Sequence, residues 1–208
     1  MFRALALVVC LLGGAAYADP PVPPARDGHV PRARWDHRSE AKLWSRSAMA
    51  ALAGHGAILP RTVPRDISDW CPAYRETTSW ERRAFWVGFL SALSKHESTY
   101  NPSAVGGGGL WYGLTQILPA TARGYGCRAR DGDALKDGAA NLSCAIRILA
   151  VTVPRDGVIA TKTNRWRGVA ADWGPMRSET KRRDMMRWLK RQTYCTPLDA
   201  IRPRARPG

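Results

Sequence analysis

The sequence is short of acidic residues and lacks the patterns that bind metals. Aspartate and glutamate together number 17, against 32 lysines and arginines, which gives a formal net charge of +15. The four histidines are scattered, and no CxxC pair occurs. The stretch HESTY (96–100) lacks the second histidine of the HExxH zinc motif. These absences argue against a zinc site, and we predict neither a metal nor any other cofactor.

Long apolar runs are equally scarce, and the one at the start of the chain is too short to span a bilayer. It covers residues 4–12, follows Arg3, and is followed by an A-x-A pattern that ends at Ala18. This layout is typical of a cleaved secretory signal over residues 1–18, which is a better interpretation than a retained anchor. Cys10 lies inside the run behind a bulky residue, which argues against a lipoprotein. We therefore expect export.

The excess of positive charge narrows the classes of partner. A net charge of +15 favours anionic partners, which include nucleic acid, a membrane surface and an acidic cell-wall polymer. Export makes nucleic acid the least favoured of the three, so we predict no nucleic-acid partner.

Four cysteines follow the signal: Cys71, Cys127, Cys144 and Cys195. An even number in an exported chain predicts two disulfides, and four cysteines permit three pairings. We favour Cys127–Cys144, which closes a short loop, and Cys71–Cys195, which ties the end of the chain to its middle.

The strong local signals are helical, and no segment has the pattern of a convincing strand. Residues 19–38 are rich in proline and arginine and are expected to form a disordered leader, and residues 196–208 a basic, flexible tail. One all-α domain is expected over residues 39–195, with a long connection at 54–76. The predicted helices cover 40–53, 79–97, 119–125, 137–153, 164–173 and 179–192.

Glu97 ends the longest of these helices, where the partial negative charge of a helix C-terminus disfavours a carboxylate. The helix opens with a capping box formed by Thr78 and Glu81. Trp86, Leu90 and Glu97 recur on one face, so the carboxyl lies on the stripe that must be buried. Burial raises a carboxyl pKa, which a general acid for glycosidic bonds requires. The alternative is an exposed glutamate at an ordinary helix end.

The residues after Glu97 carry a longer signal. The stretch ESTYNPSAVGGGGLWYGLTQILPATA (97–122) contains, in order, Glu-Ser, an aromatic residue, Asn-Pro, an alanine, a glycine-bearing loop, Gly-Leu-x-Gln and Pro-x-Thr-Ala. This string resembles the lysozyme-like lytic transglycosylase family, the SLT domain. A second stretch, LKDGAANLSCAIRILA (135–150), is similar to a further family segment, with Asn141 at the matching place. The resemblance covers roughly residues 78–175.

The resemblance implies a mainly helical, lysozyme-like fold with a cleft for glycan strands. It also implies cleavage of the β-1,4 bond between N-acetylmuramic acid and N-acetylglucosamine. In this family one glutamate first protonates the leaving oxygen and then deprotonates the C6 hydroxyl of the muramic acid, which closes a 1,6-anhydro ring. The implied location is the periplasm and the implied partner is peptidoglycan, in general turnover or within a wall-spanning machine. We expect a monomer.

The matched motifs also imply roles for single residues. Glu97 would be the catalytic acid and base, and Ser98 would orient the sugar or the glutamate. The turn at 113–116 would form the floor of the cleft, where glycine lets the backbone approach a sugar closely. For each polar residue other than Glu97, a turn or capping role competes. The predicted substrate-binding residues are Ser98, Tyr112, Gly113, Leu114, Gln116, Asn141 and Trp173.

The sequence departs from the family pattern in the glycine loop and at two further places. The loop GGGG (106–109) is unusually flexible, and the spacing from Glu97 to Gly113 is about one residue longer than in the common form. Thr115 stands where the family usually has methionine. The stretch AADWGP (170–175) only partly matches the family's Ala-Tyr-Asn-Ala-Gly, with Ala171 and Asp172 in place of the tyrosine and the asparagine. That tyrosine normally helps to hold the glutamate. Candidates to replace it are Tyr112, Tyr194 and Trp173.

Three other functions compete with this one. A goose-type muramidase would use water as the nucleophile and would generally need an aspartate to activate it, and none lies in the matched stretch 97–122. A catalytically weak peptidoglycan-binding or assembly protein would keep the cleft without useful turnover. A secreted, membrane-active protein would depend on the basic segment KRRDMMRWLKR (181–191), whose apolar face is thin.

Overall fold

The computed structural model describes residues 30–197. Within this range the chain is mainly helical, as predicted, and none of its helices is long and apolar enough to cross a membrane. The α-helices are α1 (Ala41–Ala53), α2 (Ile58–Arg61), α3 (Ile67–Trp70), α4 (Ser79–Glu97), α5 (Pro119–Gly124), α6 (Gly132–Leu135), α7 (Gly138–Asp156) and α8 (Glu179–Leu189). Short 3-10 helices cover Tyr74–Glu76, Val169–Ala171, Gly174–Arg177 and Thr193–Cys195. The strands are β1 (Val105–Gly106), β2 (Trp111–Tyr112), β3 (Ala160–Lys162) and β4 (Trp166–Gly168).

Helix α4 forms the centre of the fold. The predicted capping box starts it, because the Thr78 hydroxyl accepts from the Glu81 N–H at 3.3 Å and the Glu81 carboxylate accepts from the Thr78 N–H at 2.8 Å. Every residue from 84 to 94 is buried, so neighbours surround this stretch on all sides rather than along one stripe. The core therefore fixes the axis of α4 and, with it, the approach to Glu97.

The neighbours of α4 include α1, which also packs against α7, and α8. Gly88, in the middle of α4, admits the ring of Tyr194, because a Cβ at this position would lie 2.1 Å from Tyr194 Oη. This close approach holds the segment that follows α8 against the central helix.

Both favoured disulfides are present in the structure. Cys71 pairs with Cys195 at a Cα–Cα distance of 4.7 Å, and Cys127 pairs with Cys144 at 5.2 Å. The first joins the end of the described chain to the segment before α4. The second joins the loop after α5 to α7.

The predicted disordered leader is wrong for residues 30–38. Trp35 is fully buried, donates from Nε1 to Ser45 Oγ at 3.0 Å, and packs edge-on against Trp44. Periodicity could not reveal this segment, because it packs through single side chains without regular secondary structure. Residues 1–29, which carry the predicted signal and the start of the leader, lie outside the described residues, as do the last residues of the predicted tail, 198–208.

Helix α7 does not stop before Pro154 as predicted but continues to Asp156. Proline has no N–H and so removes one hydrogen bond from a helix. Because Pro154 lies in the last turn of α7, the helix loses only this bond and continues past it. Gly157 then ends the helix in the left-handed region (φ +65°) and donates to the Val153 carbonyl at 2.8 Å.

The predicted helix at 164–173 is also wrong, because this segment forms β4 and the 3-10 helix that follows it. Strands β3 and β4 pair antiparallel, and Gly168 allows the close return, since a Cβ there would lie 2.3 Å from the Val158 carbonyl oxygen. The Asp66 carboxylate accepts from the backbone N–H groups of Ile159 (2.8 Å) and Ala160 (2.9 Å). Strands of three residues are too short to show an alternating pattern.

The predicted long connection at 54–76 contains the short helices α2 and α3 and a 3-10 turn. Pro60 lies within α2, whose four residues are too few to show a helical period. The sequence also predicts Ser39 as the N-cap of α1, and this prediction is wrong. The Ser39 hydroxyl donates to the Glu40 carboxylate instead of accepting from the helix.

Candidate active site

Glu97 is the last residue of α4 and is half-buried. Its carboxyl group has no hydrogen-bond or ion-pair partner among residues 30–197. Burial raises the pKa of Glu97 to about 7, and the positive charge of Lys181 on α8 acts in the opposite direction. A carboxyl group in this state is substantially protonated at neutral pH and is free to donate its proton.

The chain turns sharply after Glu97. Thr99 (φ +51°) and Tyr100 (φ +61°) both occupy the left-handed region, which costs residues other than glycine free energy. The ring of Tyr100 is buried and meets His37 edge-on, with ring centroids 4.9 Å apart. Tertiary packing therefore supports a strained turn directly after the candidate acid.

Ser98 links Glu97 to the turn at 113–116. Its hydroxyl donates to the Leu114 carbonyl at 2.9 Å, with the Ser94 carbonyl as a second acceptor at 3.2 Å. Ser98 is partly buried within the protein and bonded to backbone, so its observed role is to place Glu97 beside the turn.

Asn141 on α7 holds the same turn from behind. Its Oδ1 accepts from Thr115 N (3.0 Å) and Thr115 Oγ1 (2.7 Å), and its Nδ2 donates to the carbonyls of Tyr112 (2.9 Å) and Leu135 (3.0 Å). Both N–H groups and the oxygen of the Asn141 amide are therefore hydrogen-bonded within the protein. The hydroxyl of Thr115 makes a bond that methionine could not make, which gives this departure from the family pattern a structural reason.

Two of the predicted substrate-binding side chains have no exposed area. Asn141 and Leu114 are each 0% exposed, so they cannot contact a ligand in this conformation and instead support the turn. Gly113 lies against Asn141 with φ +80°, and a Cβ there would lie 2.1 Å from the Leu135 carbonyl oxygen. The family's glycine at this place is thus required by close packing as well as by its backbone conformation.

Gln116 closes the turn with φ +50°. Its Nε2 donates to the carbonyls of Gly113 (2.9 Å) and Ala104 (3.1 Å), which joins the turn to the β1–β2 hairpin. The Oε1 end lies against Gly106, where a Cβ would approach it to 2.3 Å. The amide is thereby fixed in orientation.

A recess of about 110 Å³ opens beside Gln116. Trp173 forms one wall and donates from Nε1 to the Thr115 carbonyl at 2.8 Å, so it too supports the turn. Trp111, at the end of the glycine-rich loop, forms another wall and is 44% exposed. Sequence analysis missed Trp111, although a tryptophan two positions after a run of glycines on an all-α scaffold is a recognisable signal.

None of the three aromatic candidates holds Glu97 in place of the family tyrosine. The Tyr112 hydroxyl donates to the Gly109 carbonyl at 2.7 Å, and Trp173 bonds to Thr115 as described. Tyr194 donates to the Arg32 carbonyl and contacts Gly88, nine residues before Glu97 on α4. Nine residues of helix span about 13.5 Å, which is beyond hydrogen-bonding reach.

Asp172 also lines the recess, and desolvation raises its pKa. The charges that act on it are those of Arg155, Asp156 and Arg177, whereas the one that acts on Glu97 is that of Lys181. Among residues 30–197, no group of three or more His, Cys, Asp or Glu side chains could hold a metal ion.

Comparisons with known proteins agree with this geometry. Residues 78–171 match the family described as the transglycosylase SLT domain. The solved structure of Bd0314 DslA, wild-type form 2, is 30% identical, with a TM-score of 0.73, over 80% of this chain and 98% of the other. The chain belongs to the transglycosylase SLT domain family. A glutamate-to-glutamine mutant of Bd0314 DslA is 29% identical, with a TM-score of 0.74, over 81% of this chain and all of the other.

The comparison with curated proteins gives no match. SLT domains generally belong to lytic transglycosylases, and the domain implies peptidoglycan as the substrate and a place of action at the cell wall. The SLT match includes α4, the turn and α7, but ends before α8, which carries Lys181. Sequence analysis did not identify Lys181 as part of the site, because its position beside Glu97 depends on how α8 packs.

Proposed function

We propose that this protein is an exported peptidoglycan lytic transglycosylase. It would cleave the β-1,4 bond between N-acetylmuramic acid and N-acetylglucosamine and release 1,6-anhydro-N-acetylmuramic acid. The observation that carries the proposal is the state of Glu97: half-buried, without a partner among the described residues, and with its pKa raised to about 7.

In the first step Glu97 is the general acid. Its carboxyl group donates a proton to the glycosidic oxygen while the bond from that oxygen to C1 breaks. The positive charge of Lys181 favours the carboxylate that results. An acid with a pKa near 7 is matched to proton transfer at neutral pH.

In the second step the Glu97 carboxylate is the general base. It takes the proton of the C6 hydroxyl, and the C6 oxygen bonds to C1 to close the anhydro ring. Glu97 ends the cycle protonated, and no water is consumed. Glycosidases that use water or an enzyme nucleophile need a second carboxylate about 5–9.5 Å from the acid. The proposed cycle needs only one carboxyl group, because the C6 hydroxyl of the substrate takes the place of water as the nucleophile.

Other parts of the site would hold the glycan. Trp111 offers an exposed indole face at the recess, on which a sugar ring can stack. The turn at 113–116 offers backbone groups along the same wall. We propose that Ser98, Asn141 and Trp173 act through the turn that they hold, and that Gln116 and Tyr112 orient the hairpin.

Mass spectrometry of digested peptidoglycan tests this function. Wild-type protein should release anhydro-muropeptides, which lack one water relative to hydrolysis products, and Glu97→Gln should lose at least about 10²-fold in rate. Glu76→Gln is the matched control, because Glu76 is exposed on the 3-10 turn before α4. Hydrolysis products in place of anhydro products would establish a muramidase. Equal function of wild type and Glu97→Gln would establish a binding or assembly role.

Export is tested separately. The secreted protein should begin near Asp19 when its mass is measured, and a chain without residues 1–18 should remain in the cytoplasm. A chain retained in full would contradict the cleaved signal.

A further inference from the structure

Asp184 on α8 is bonded to two cations and a histidine from two other parts of the chain. Arg34 binds it with two bonds, Nη1 to Oδ2 at 2.7 Å and Nη2 to Oδ1 at 3.1 Å. Lys95 Nζ and His96 Nε2, both from the last turn of α4, lie 3.2 and 2.8 Å from Oδ2. Glu97 is the next residue of α4, so this cluster is bonded to the turn that carries it.

The segment 30–38 contacts the chain on both sides of Glu97. The backbone N–H of Arg34 donates to Ser91 Oγ at 2.8 Å, before Glu97, and the ring of His37 meets Tyr100 after it. Neither this segment nor α8 belongs to the SLT match at 78–171. Elements outside the family match therefore surround the helix end that carries the candidate acid.

Such support is needed because of where Glu97 stands. Helix ends fray readily, and α4 ends without a glycine cap and with a strained turn behind it. Glu97 has no bond of its own among the described residues, so its direction depends on the turn around it. The pair of Arg34 and Asp184 is only 15% and 26% exposed at its side chains, and partly buried ion pairs are screened by salt less than exposed ones.

We propose that Asp184 is a positioning residue for Glu97, holding the last turn of α4 to α8 and to the segment 30–38 so that the carboxyl group faces the substrate. This proposal rests on the function proposed above. Asp184 touches none of the reacting atoms, and its effect passes through Lys95 and His96.

The test is Asp184→Asn, which keeps the shape of the side chain but removes its charge. We expect kcat to fall by about 10- to 100-fold, the effect of a misplaced catalytic group, while KM for glycan strands stays within about twofold. Asp184→Glu, which keeps the charge, should recover part of kcat, and Asp184→Ala should not. The matched control is Asp133→Asn, which breaks an exposed pair with Lys136 in α6.

Hydrogen exchange gives a second readout that does not need activity. Asp184→Asn should speed amide exchange in a peptide covering residues 93–101 and leave the centre of α4 protected. If neither kcat nor this exchange changes, the proposal is overturned. If Asp184→Asn unfolds the protein, Arg34→Gln decides, because it removes one partner and leaves Lys95 and His96 in place. The same local change then supports the proposal, and its absence overturns it.

The outcomes also separate this proposal from the proposed function. Full activity of Glu97→Gln would disprove the proposed function. Faster amide exchange at residues 93–101 in Asp184→Asn would even then show that Asp184 supports the end of α4. If Glu97→Gln loses activity while Asp184→Asn keeps normal activity and normal amide exchange, the positioning role of Asp184 is disproved and the proposed function stands.

Discussion

The hydroxyl of Ser98 donates a 2.9 Å hydrogen bond to the backbone carbonyl of Leu114. This bond joins the residue after Glu97 to the turn at 113–116, which Asn141 holds from behind. Since Glu97 itself has no partner among the described residues, the Ser98 bond holds the candidate acid beside the turn. The serine of the family's Glu-Ser pair therefore has a structural role, because it holds Glu97 beside the turn.

Ser98→Ala should therefore lower activity without removing any group that touches the substrate. We expect kcat/KM to fall by about tenfold, since a hydrogen bond contributes about 1 kcal/mol and a shifted acid adds to the loss. The measurement is the rate of release of anhydro-muropeptides. Ser103→Ala is the matched control, because Ser103 is exposed in the same loop and only its backbone N–H is bonded. Equal rates for the two variants would contradict the role of Ser98.

The pH dependence of the reaction should report the pKa of Glu97. The first step needs the protonated form, so the rate should fall as pH rises through about 7. Lys181 favours the carboxylate, and removing its charge in Lys181→Met should raise the pKa of Glu97 and move this limb to higher pH. The measurement is kcat/KM against pH.

Lys190→Met is the control for this shift. Lys190 lies at the other end of α8, nine residues or about 13.5 Å from Lys181. We expect its pH profile to match that of the wild type. An equal shift in both variants would mean that the overall positive charge, rather than Lys181, sets the pKa.

Glu97→Gln should make the folded protein more stable at alkaline pH. Folding raises the pKa of Glu97 from 4.5 to about 7, so the native state binds the proton more tightly than the unfolded chain. The wild type therefore loses stability as pH rises between these values, and the loss is complete above them. At pH 8 the variant should gain about 2–3 kcal/mol in unfolding free energy, and below pH 4 almost nothing. Urea unfolding at both pH values measures this, with Glu76→Gln expected to change little at either.

The sequence predicted those features that depend on local or repeated signals. The capping box of Thr78 and Glu81 fixed the start of α4, and the even number of cysteines, with a preference for one short loop, gave both disulfides. The motif string after Glu97 gave the family. The substrate contacts assigned to Ser98, Tyr112, Gly113, Gln116 and Trp173 stay predictions, whereas Leu114 and Asn141 are buried behind the turn.

What the sequence could not give depends on packing between distant segments. An asparagine such as Asn141 can face a ligand or hold a loop, and only the four bonds of its amide decide between the two. Trp35 lies in a segment without a periodic apolar pattern, so the sequence did not show that its side chain is buried. The meeting of Arg34 with Asp184 joins residues 150 positions apart, and no local pattern reports it.

Gly113→Ala should be strongly destabilising, and the neighbouring glycine loop supplies its control. A Cβ at Gly113 would lie 2.1 Å from the Leu135 carbonyl oxygen and 2.3 Å from Asn141 Nδ2, and the backbone is in the left-handed region. Gly108 shares that conformation (φ +66°) but has nothing within 4 Å of its added Cβ. We expect Gly108→Ala to cost about 1 kcal/mol, from conformation alone, and Gly113→Ala about 3 kcal/mol or more. Similar midpoints in thermal unfolding would contradict the packing argument.

The two disulfides should differ in their contribution to stability. Cys71–Cys195 spans 124 positions of sequence and Cys127–Cys144 spans 17, and a longer loop removes more entropy from the unfolded chain. The loop-entropy relation gives a difference of about 1.7 kcal/mol in favour of the long loop. The double variant Cys71→Ala/Cys195→Ala should therefore unfold at lower denaturant than Cys127→Ala/Cys144→Ala. Because Cys195 also holds the chain after α8, and Tyr194 packs against Gly88, the first variant should exchange amides faster around Gly88 in the middle of α4, whereas the second should not. The reverse order of stability would mean that strain or residual structure, rather than loop length, governs these bonds.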